Sequence, residues 1–235
     1  MKNLSYTAIV FDLDDTLLDF SACEIQALRK SLTTVAIDLS DDEWLTFWQT
    51  YQPISSSYWK QKQNNSLSRQ QVIEASLRDT FAALDYEYLN SPKLAQIYWH
   101  TFCQTACLNT GVMETVEYLS DNYKLGIVTN GYTDSQTSRL QASGLANFFQ
   151  SVVISESVSY RKPAPEIFNI ALKELQITPQ ETLFVGDSIS HDYQGTINAG
   201  IDFCYYSKPS KPLIEIEPKY IIYRISQLIK IVRGN

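Results

Sequence analysis

Ala8-Ile9-Val10-Phe11, preceded by Thr7, is an unbroken apolar run of strand length near the start of the chain. It constrains the fold more than any other feature. A strand with one wet face alternates apolar and polar residues. A run with no polar member must be covered on both faces, as in a parallel sheet with helices on either side. Four further strand candidates follow much later: Lys124 to Val128, Ser151 to Ile154, Thr182 to Val185 and Asp202 to Tyr206. Helical patterns separate them. Val112 to Leu119 precedes the second strand, and Asp134 to Ser143 follows it and stops at Gly144. Pro165 to Leu175 begins on a proline suited to a first turn, and Asp192 to Ala199 is closed by Gly200. Strands alternating with helices predict right-handed crossovers and a parallel α/β sheet.

The gap between the first strand and the rest has another character. Residues 20–108 carry helical periodicity and no convincing strand. Ser40 to Glu43 fits a capping box ahead of a stripe of Trp44, Phe47, Trp48 and Tyr51. Ser68 to Gln71 fits another, leading into Val72, Ile73, Leu77, Phe81 and Leu84. Ser91-Pro92 reads as an N-cap with proline at the first helical position. The expected organisation is an α/β core of residues 1–19 and 109–235, with an all-helical block, 20–108, inserted after the first strand.

Charge narrows the partners. A net charge of −7 and a pI near 4.9 argue against a nucleic-acid polymer or an anionic membrane surface, both of which need clustered Lys and Arg. The four cysteines, Cys23, Cys103, Cys107 and Cys204, make no disulfide framework and have no zinc spacing, so they read as small buried residues. The first eighteen residues form neither a signal peptide nor a membrane span, and the expected location is the cytoplasm.

In a parallel sheet, ligands bind outside the carboxyl ends of the strands. The first strand runs into Asp12-Leu13-Asp14-Asp15-Thr16, the second ends in Thr129-Asn130-Gly131, and the one at Thr182 runs into Gly186-Asp187 and on to Asp192. Arg161-Lys162-Pro163 stands before the Pro165 helix. In order, Asp12-x-Asp14-x-Thr16, Thr129, Lys162 and Gly186-Asp187 with Asp192 resemble the four motifs of the haloacid dehalogenase-like (HAD) hydrolase superfamily. The resemblance covers essentially the whole chain and implies a Rossmann-like core. The inserted helical block resembles the cap of the subclass that holds dehalogenases and phosphoglycolate phosphatases. Ile127 to Gly131, then Gln136, Arg139 and Leu140, then Ile154-Ser155-Glu156, resemble YjjG-type pyrimidine 5′-nucleotidases.

Elementary chemistry runs parallel to the resemblance. Asp12 and Asp14 are two apart, so an extended segment turns them to the same side. One carboxylate can attack phosphorus and form an aspartyl phosphate, while the other protonates the leaving oxygen and later activates water. A carboxylate meeting one phosphate charge at about 4 Å costs about 4 kcal/mol at an effective dielectric near 20, so cations are required. Asp12 and Asp187 offer hard oxygen ligands for Mg2+, and the resemblance implies that the backbone carbonyl of Asp14 completes the set. Lys162 is the second cation, able to hold Asp12 and the phosphoryl group. Thr129 and Asn130 are phosphate-binding candidates, and Asp192, behind the metal ligands, orients a metal-bound water.

Plainer roles compete. Asp14, Asp15 and Thr16 could be turn or capping residues, and Asp15 stands where many members of the superfamily carry glycine. Trp44, Phe47 and Trp48 read as packing of the helical block. Tyr58 and Trp59, set outside that stripe in a Ser- and Gln-rich stretch, are the candidates for a substrate base. The expected function is Mg2+-dependent hydrolysis of a small phosphate monoester, a nucleoside 5′-monophosphate first, for which the resemblance implies a pyrimidine base. A sugar-phosphate or phosphoglycolate-type phosphatase is the alternative enzyme. A catalytically silent binding module is the alternative outside catalysis.

Overall fold

The computed structural model describes residues 6–64, 67–86, 90–208 and 217–233. The chain divides into two compact units, Met1–Cys23 with Ala106–Asn235, and Glu24–Thr105. In the first, six strands form one parallel sheet: β1 (Ala8–Phe11), β2 (Lys124–Thr129), β3 (Ser151–Ile154), β4 (Thr182–Gly186), β5 (Asp202–Tyr206) and β6 (Tyr220–Ile222). Their order is β3-β2-β1-β4-β5-β6, so β1 lies in the interior between β2 and β4. The topology reverses there, and the crevice at the carboxyl ends of such strands is where doubly wound sheets bind ligands.

Alternation along β1 explains the two layers. Ile9 and Phe11 face a core shared with Leu125, Ile127, Leu183 and Val185. That core is closed by Val112, Val116 and Leu119 of the helix Val112–Ser120. Ala8 and Val10 face the opposite core, with Phe184, Phe203 and the helix Pro165–Leu175 through Ile167, Phe168, Ala171 and Leu172. All four β1 side chains are buried, which is why this strand tolerates no polar residue. Gly144 and Gly200 adopt the left-handed conformation that ends their helices, at φ 77° and 69°.

The helical unit holds α1 (Phe20–Thr34), whose first turn belongs to the other unit, α2 (Asp41–Asn64), α3 (Arg69–Ala83) and α4 (Ser91–Cys103). The two expected capping boxes are present, Ser40 with Glu43 and Ser68 with Gln71. The start of α4 differs from expectation. Asn90 is the N-cap, accepting from the Lys93 N–H at 3.1 Å, and Ser91 is already helical, because the amide oxygen of Asn90 reaches the same orphan donor. The stripe on α2 also runs further than the sequence suggests. The helix continues through Pro53, and Ser55 and Tyr58 extend the line of Trp44, Trp48 and Tyr51 at helical spacing, so Tyr58 is not outside it. The strand β6 and the short helices Ser155–Val158 and Leu228–Arg233 add to the elements expected from the sequence. No described helix is long and apolar enough to cross a membrane.

Candidate active site

The strand register assembles the site. Phe11 pairs with Ile127 on one side and Val185 on the other, so β1, β2 and β4 end nearly level. Asp12 follows β1 with its N–H donating to the Val185 carbonyl at 2.9 Å. Thr129 closes β2, and Asp187 follows Gly186 at the end of β4. Lys162 comes from the loop before the Pro165 helix and is bonded to Pro163 through a cis peptide. Asn130 grips it there. Its Nδ2 donates to the Lys162 carbonyl at 3.0 Å and its Oδ1 accepts from the Lys162 N–H at 2.8 Å. The Asn130 side chain is therefore committed to the lysine, and anything it offers a phosphate comes from its main chain.

The Lys162 ammonium, on a residue only 3% exposed, stands 2.8 Å from Asp12 Oδ1 and 2.7 Å from Asp192 Oδ1. Burial opposes its charge, but the two carboxylates outweigh burial and hold the amine above its ordinary range. Asp12 Oδ1 also accepts the Leu13 N–H at 2.8 Å, so both bonds fall on one oxygen. Burial pushes the Asp12 carboxyl well up; Lys162 pulls it down, and Asp192 and Asp187 push it up again. Asp192 is anchored by the Ser188 N–H on its Oδ2 at 3.0 Å. It can stand there because residue 186 is glycine, whose Cβ would lie 2.3 Å from that same Oδ2.

Carboxylate oxygens of Asp12, Asp187 and Asp192 lie within 4.8 Å of one another, all three residues buried. Lys162 bridges two of these three buried acids, and the three together make an all-oxygen donor set, which suits a hard divalent cation. Thr129, buried beside them, accepts the Gly131 N–H on its hydroxyl at 3.3 Å.

Asp14 is held by bonds of its own. Its Oδ2 accepts from Gln136 Nε2 at 2.7 Å and its Oδ1 from Arg139 Nη1 at 2.6 Å, both from the helix Thr133–Ala142. In the sequence Gln136 and Arg139 belong to the resemblance alone, and no role for them is legible there. The available signal was two polar side chains at positions where that helix meets the core. Asp15 sits at φ 61°, the conformation glycine takes without strain, and pairs with Lys208 at 2.5 Å. Tyr58 and Trp59, both half-buried, belong to the helical unit, where the Tyr58 hydroxyl donates to Asp79 at 2.5 Å.

Comparison with known proteins agrees with this layout. HAD-hydrolase YfnB of Bacillus subtilis is 31% identical over 229 residues, 97% of this chain and 95% of YfnB. Pyrimidine 5′-nucleotidase PynA of Streptococcus pneumoniae is 31% identical over 233 residues, covering 98% and 96%. Pyrimidine 5′-nucleotidase YjjG of Escherichia coli is 27% identical over 222 residues, covering 94% and 95%. A crystal structure of YfnB bound to magnesium superposes with a TM-score of 0.79 at 30% identity, over 97% of this chain and 99% of that one. Residues 9–206 match the haloacid dehalogenase-like hydrolase family as a whole. With its sheet order, its strand-end acids and this match in agreement, the chain belongs to the haloacid dehalogenase-like hydrolases.

Proposed function

We propose that the protein is a Mg2+-dependent phosphatase that hydrolyses small phosphate monoesters through an aspartyl phosphate on Asp12, with pyrimidine nucleoside 5′-monophosphates as substrates. The observation that carries the chemistry is the buried Lys162 ammonium fixed between Asp12 and Asp192. It orients the nucleophile and presents a cation where phosphate charge must be met. Both bonds to Asp12 fall on Oδ1, which leaves Oδ2 open toward the site.

In the first step an Asp12 oxygen forms a bond to phosphorus while the ester P–O bond breaks, and Asp14 gives its proton to the departing oxygen, so a neutral alcohol leaves. In the second step Asp14 takes a proton from water as the water oxygen bonds to phosphorus. The acyl phosphate bond breaks, and Asp12 returns as a carboxylate. Thr129 donates its hydroxyl to a phosphoryl oxygen. Asp12 and Asp187, with the Asp14 carbonyl, would hold Mg2+, whose positive charge lowers the cost of bringing a carboxylate to a phosphate. Asp192 holds Lys162 and stays behind the ligands.

The side chains at these strand ends serve the phosphoryl group, which every monoester shares. Discrimination among leaving groups therefore falls to the helical unit, acting as a cap. PynA and YjjG support the pyrimidine assignment. The test is phosphate release from a panel of phosphorylated metabolites, with and without Mg2+. The expected result is turnover of pyrimidine monophosphates above purine and sugar phosphates, abolished by chelation. Turnover without divalent metal would overturn the mechanism, and a preference for sugar phosphates would move the substrate to that class.

A further inference from the structure

The helix Thr133–Ala142 buries a polar face. Ser135, Gln136 and Arg139 are 2%, 1% and 0% exposed, with Leu140 beside them. A helix against a core ordinarily turns an apolar stripe inward. Two of these polar side chains converge on one target: Gln136 Nε2 and Arg139 Nη1 each take one oxygen of Asp14. Arg139 also bonds Cys23. Gln136 Oε1, by contrast, is buried without a hydrogen-bond partner among the described residues. A carboxylate only accepts when ionised, so it is the NH2 end of the amide that must face Asp14. The cost of the orphaned oxygen is left standing, which a residue chosen for stability alone would not carry.

A second observation is independent of these bonds. Gly131 has no positive φ to explain its identity, yet a Cβ built on it would lie 1.7 Å from Gln136 Nε2 and 2.5 Å from Gln136 Cδ. The three atoms nearest that position all belong to Gln136. The glycine leaves the space through which the amide reaches Asp14.

We propose that Gln136 and Arg139 are positioning residues for Asp14, and that residue 131 is glycine to let Gln136 reach it. The proposal rests on Asp14 being the proton donor to the leaving oxygen. With a donor on each oxygen, the carboxyl plane is fixed in both protonation states, because a hydroxyl oxygen still accepts a bond. Rotation about the side chain is then removed before substrate arrives, and general-acid catalysis is sensitive to such alignment.

The test compares kcat/KM for two esters, an alkyl phosphate such as a nucleoside 5′-monophosphate, whose departing oxygen needs a proton, and p-nitrophenyl phosphate, whose departing oxygen does not. Gln136→Ala should lower kcat/KM for the alkyl ester by about 10- to 100-fold and leave the aryl ester within about threefold. Gly131→Ala should reproduce that pattern, and Gly131→Ala/Gln136→Ala should be no worse than Gln136→Ala, since the clashing amide is gone. Should Gly131→Ala fail to fold, recovery of a folded, active Gly131→Ala/Gln136→Ala protein carries the same meaning. Arg139→Lys should lose the alkyl ester selectively and recover part of it with added guanidinium. Equal losses on both esters, or a double variant as weak as the product of the singles, would overturn the proposal. Asp14→Asn separates the two levels. If it shows no alkyl selectivity, the acid assignment itself fails; if it does and Gln136→Ala does not, only the positioning role fails.

Discussion

The α/β unit and the helical unit bury polar and aromatic groups for different ends. At the strand ends of the first, Lys162, Asp12, Asp192 and Asp187 crowd together with more negative than positive charge, an arrangement that folding alone would not favour. In the second, aromatic groups satisfy one another. Phe47 lies 5.7 Å from Trp44, 6.1 Å from Tyr51 and 5.3 Å from Phe81, and the Tyr58 hydroxyl is bonded to Asp79. One region keeps unfavourable charge for chemistry, and the other resolves its polar groups internally. Substitutions should therefore divide by chemistry, with hydrolysis of every ester lost in the first and hydrolysis of a small generic ester spared in the second.

The largest effect should come from Asp12→Asn. An amide cannot form the acyl phosphate, so turnover should fall by several orders of magnitude while the circular dichroism spectrum is retained. Lys162→Met should follow, with kcat down about 100- to 1000-fold. It would also leave Asp12 and Asp192 buried without their cation and destabilise the fold by about 3–5 kcal/mol in denaturant titration. Near-native turnover in either variant would break the contrast between the units.

Core truncation in the helical unit is the counterpart. Phe47 is fully buried, so Phe47→Ala should cost that unit about 3–5 kcal/mol by differential scanning calorimetry. Hydrolysis of a generic aryl ester below the transition should be spared. Metal binding sharpens the other side. Mg2+ at a hundred times its dissociation constant should stabilise the α/β unit by about 2.7 kcal/mol, and Asp187→Asn should remove most of that gain. A melting temperature indifferent to Mg2+ would remove the ion from the site.

How much was legible in the sequence follows the same division. The interior strands could be read because burial on both faces leaves continuous apolar runs of four or more residues, whereas β6, Tyr220-Ile221-Ile222, is apolar but only three residues long with Ile222 alone buried. The strand-end acids and Lys162 stood out because residue types that resist burial sat where apolar runs stop. Gln136 and Arg139 could be quoted but not understood, since their meaning lies in a carboxylate more than 120 residues earlier in the chain. The helical unit was readable as helices, yet Tyr58 was misplaced because a proline and a run of serines hid the continuation of α2.

Tyr58 gives the smallest effect and the finest discrimination. Its hydroxyl donates to Asp79, which also accepts from Arg78 at 2.8 Å. Burial works to raise the Asp79 carboxyl, but Arg78 and Tyr58 outweigh it and hold it below the usual range. A carboxyl depressed in the folded state adds stability that is fully present above its unfolded value and is lost as pH falls through the folded one. Tyr58→Phe removes one of the two groups responsible, so it should cost about 1 kcal/mol at neutral pH. The cost should shrink as the solution is acidified through the carboxylate range. Activity on a pyrimidine monophosphate should stay within about threefold of the parent, because the hydroxyl is engaged by Asp79. Trp59 carries the opposite expectation. If its indole faces the base, Trp59→Ala lowers kcat/KM for the nucleotide about five- to 150-fold, the range that stacking of 1–3 kcal/mol supplies, and spares a small ester. Equal losses on both substrates would mark Trp59 as packing of α2, and the base would have to be recognised elsewhere in the helical unit.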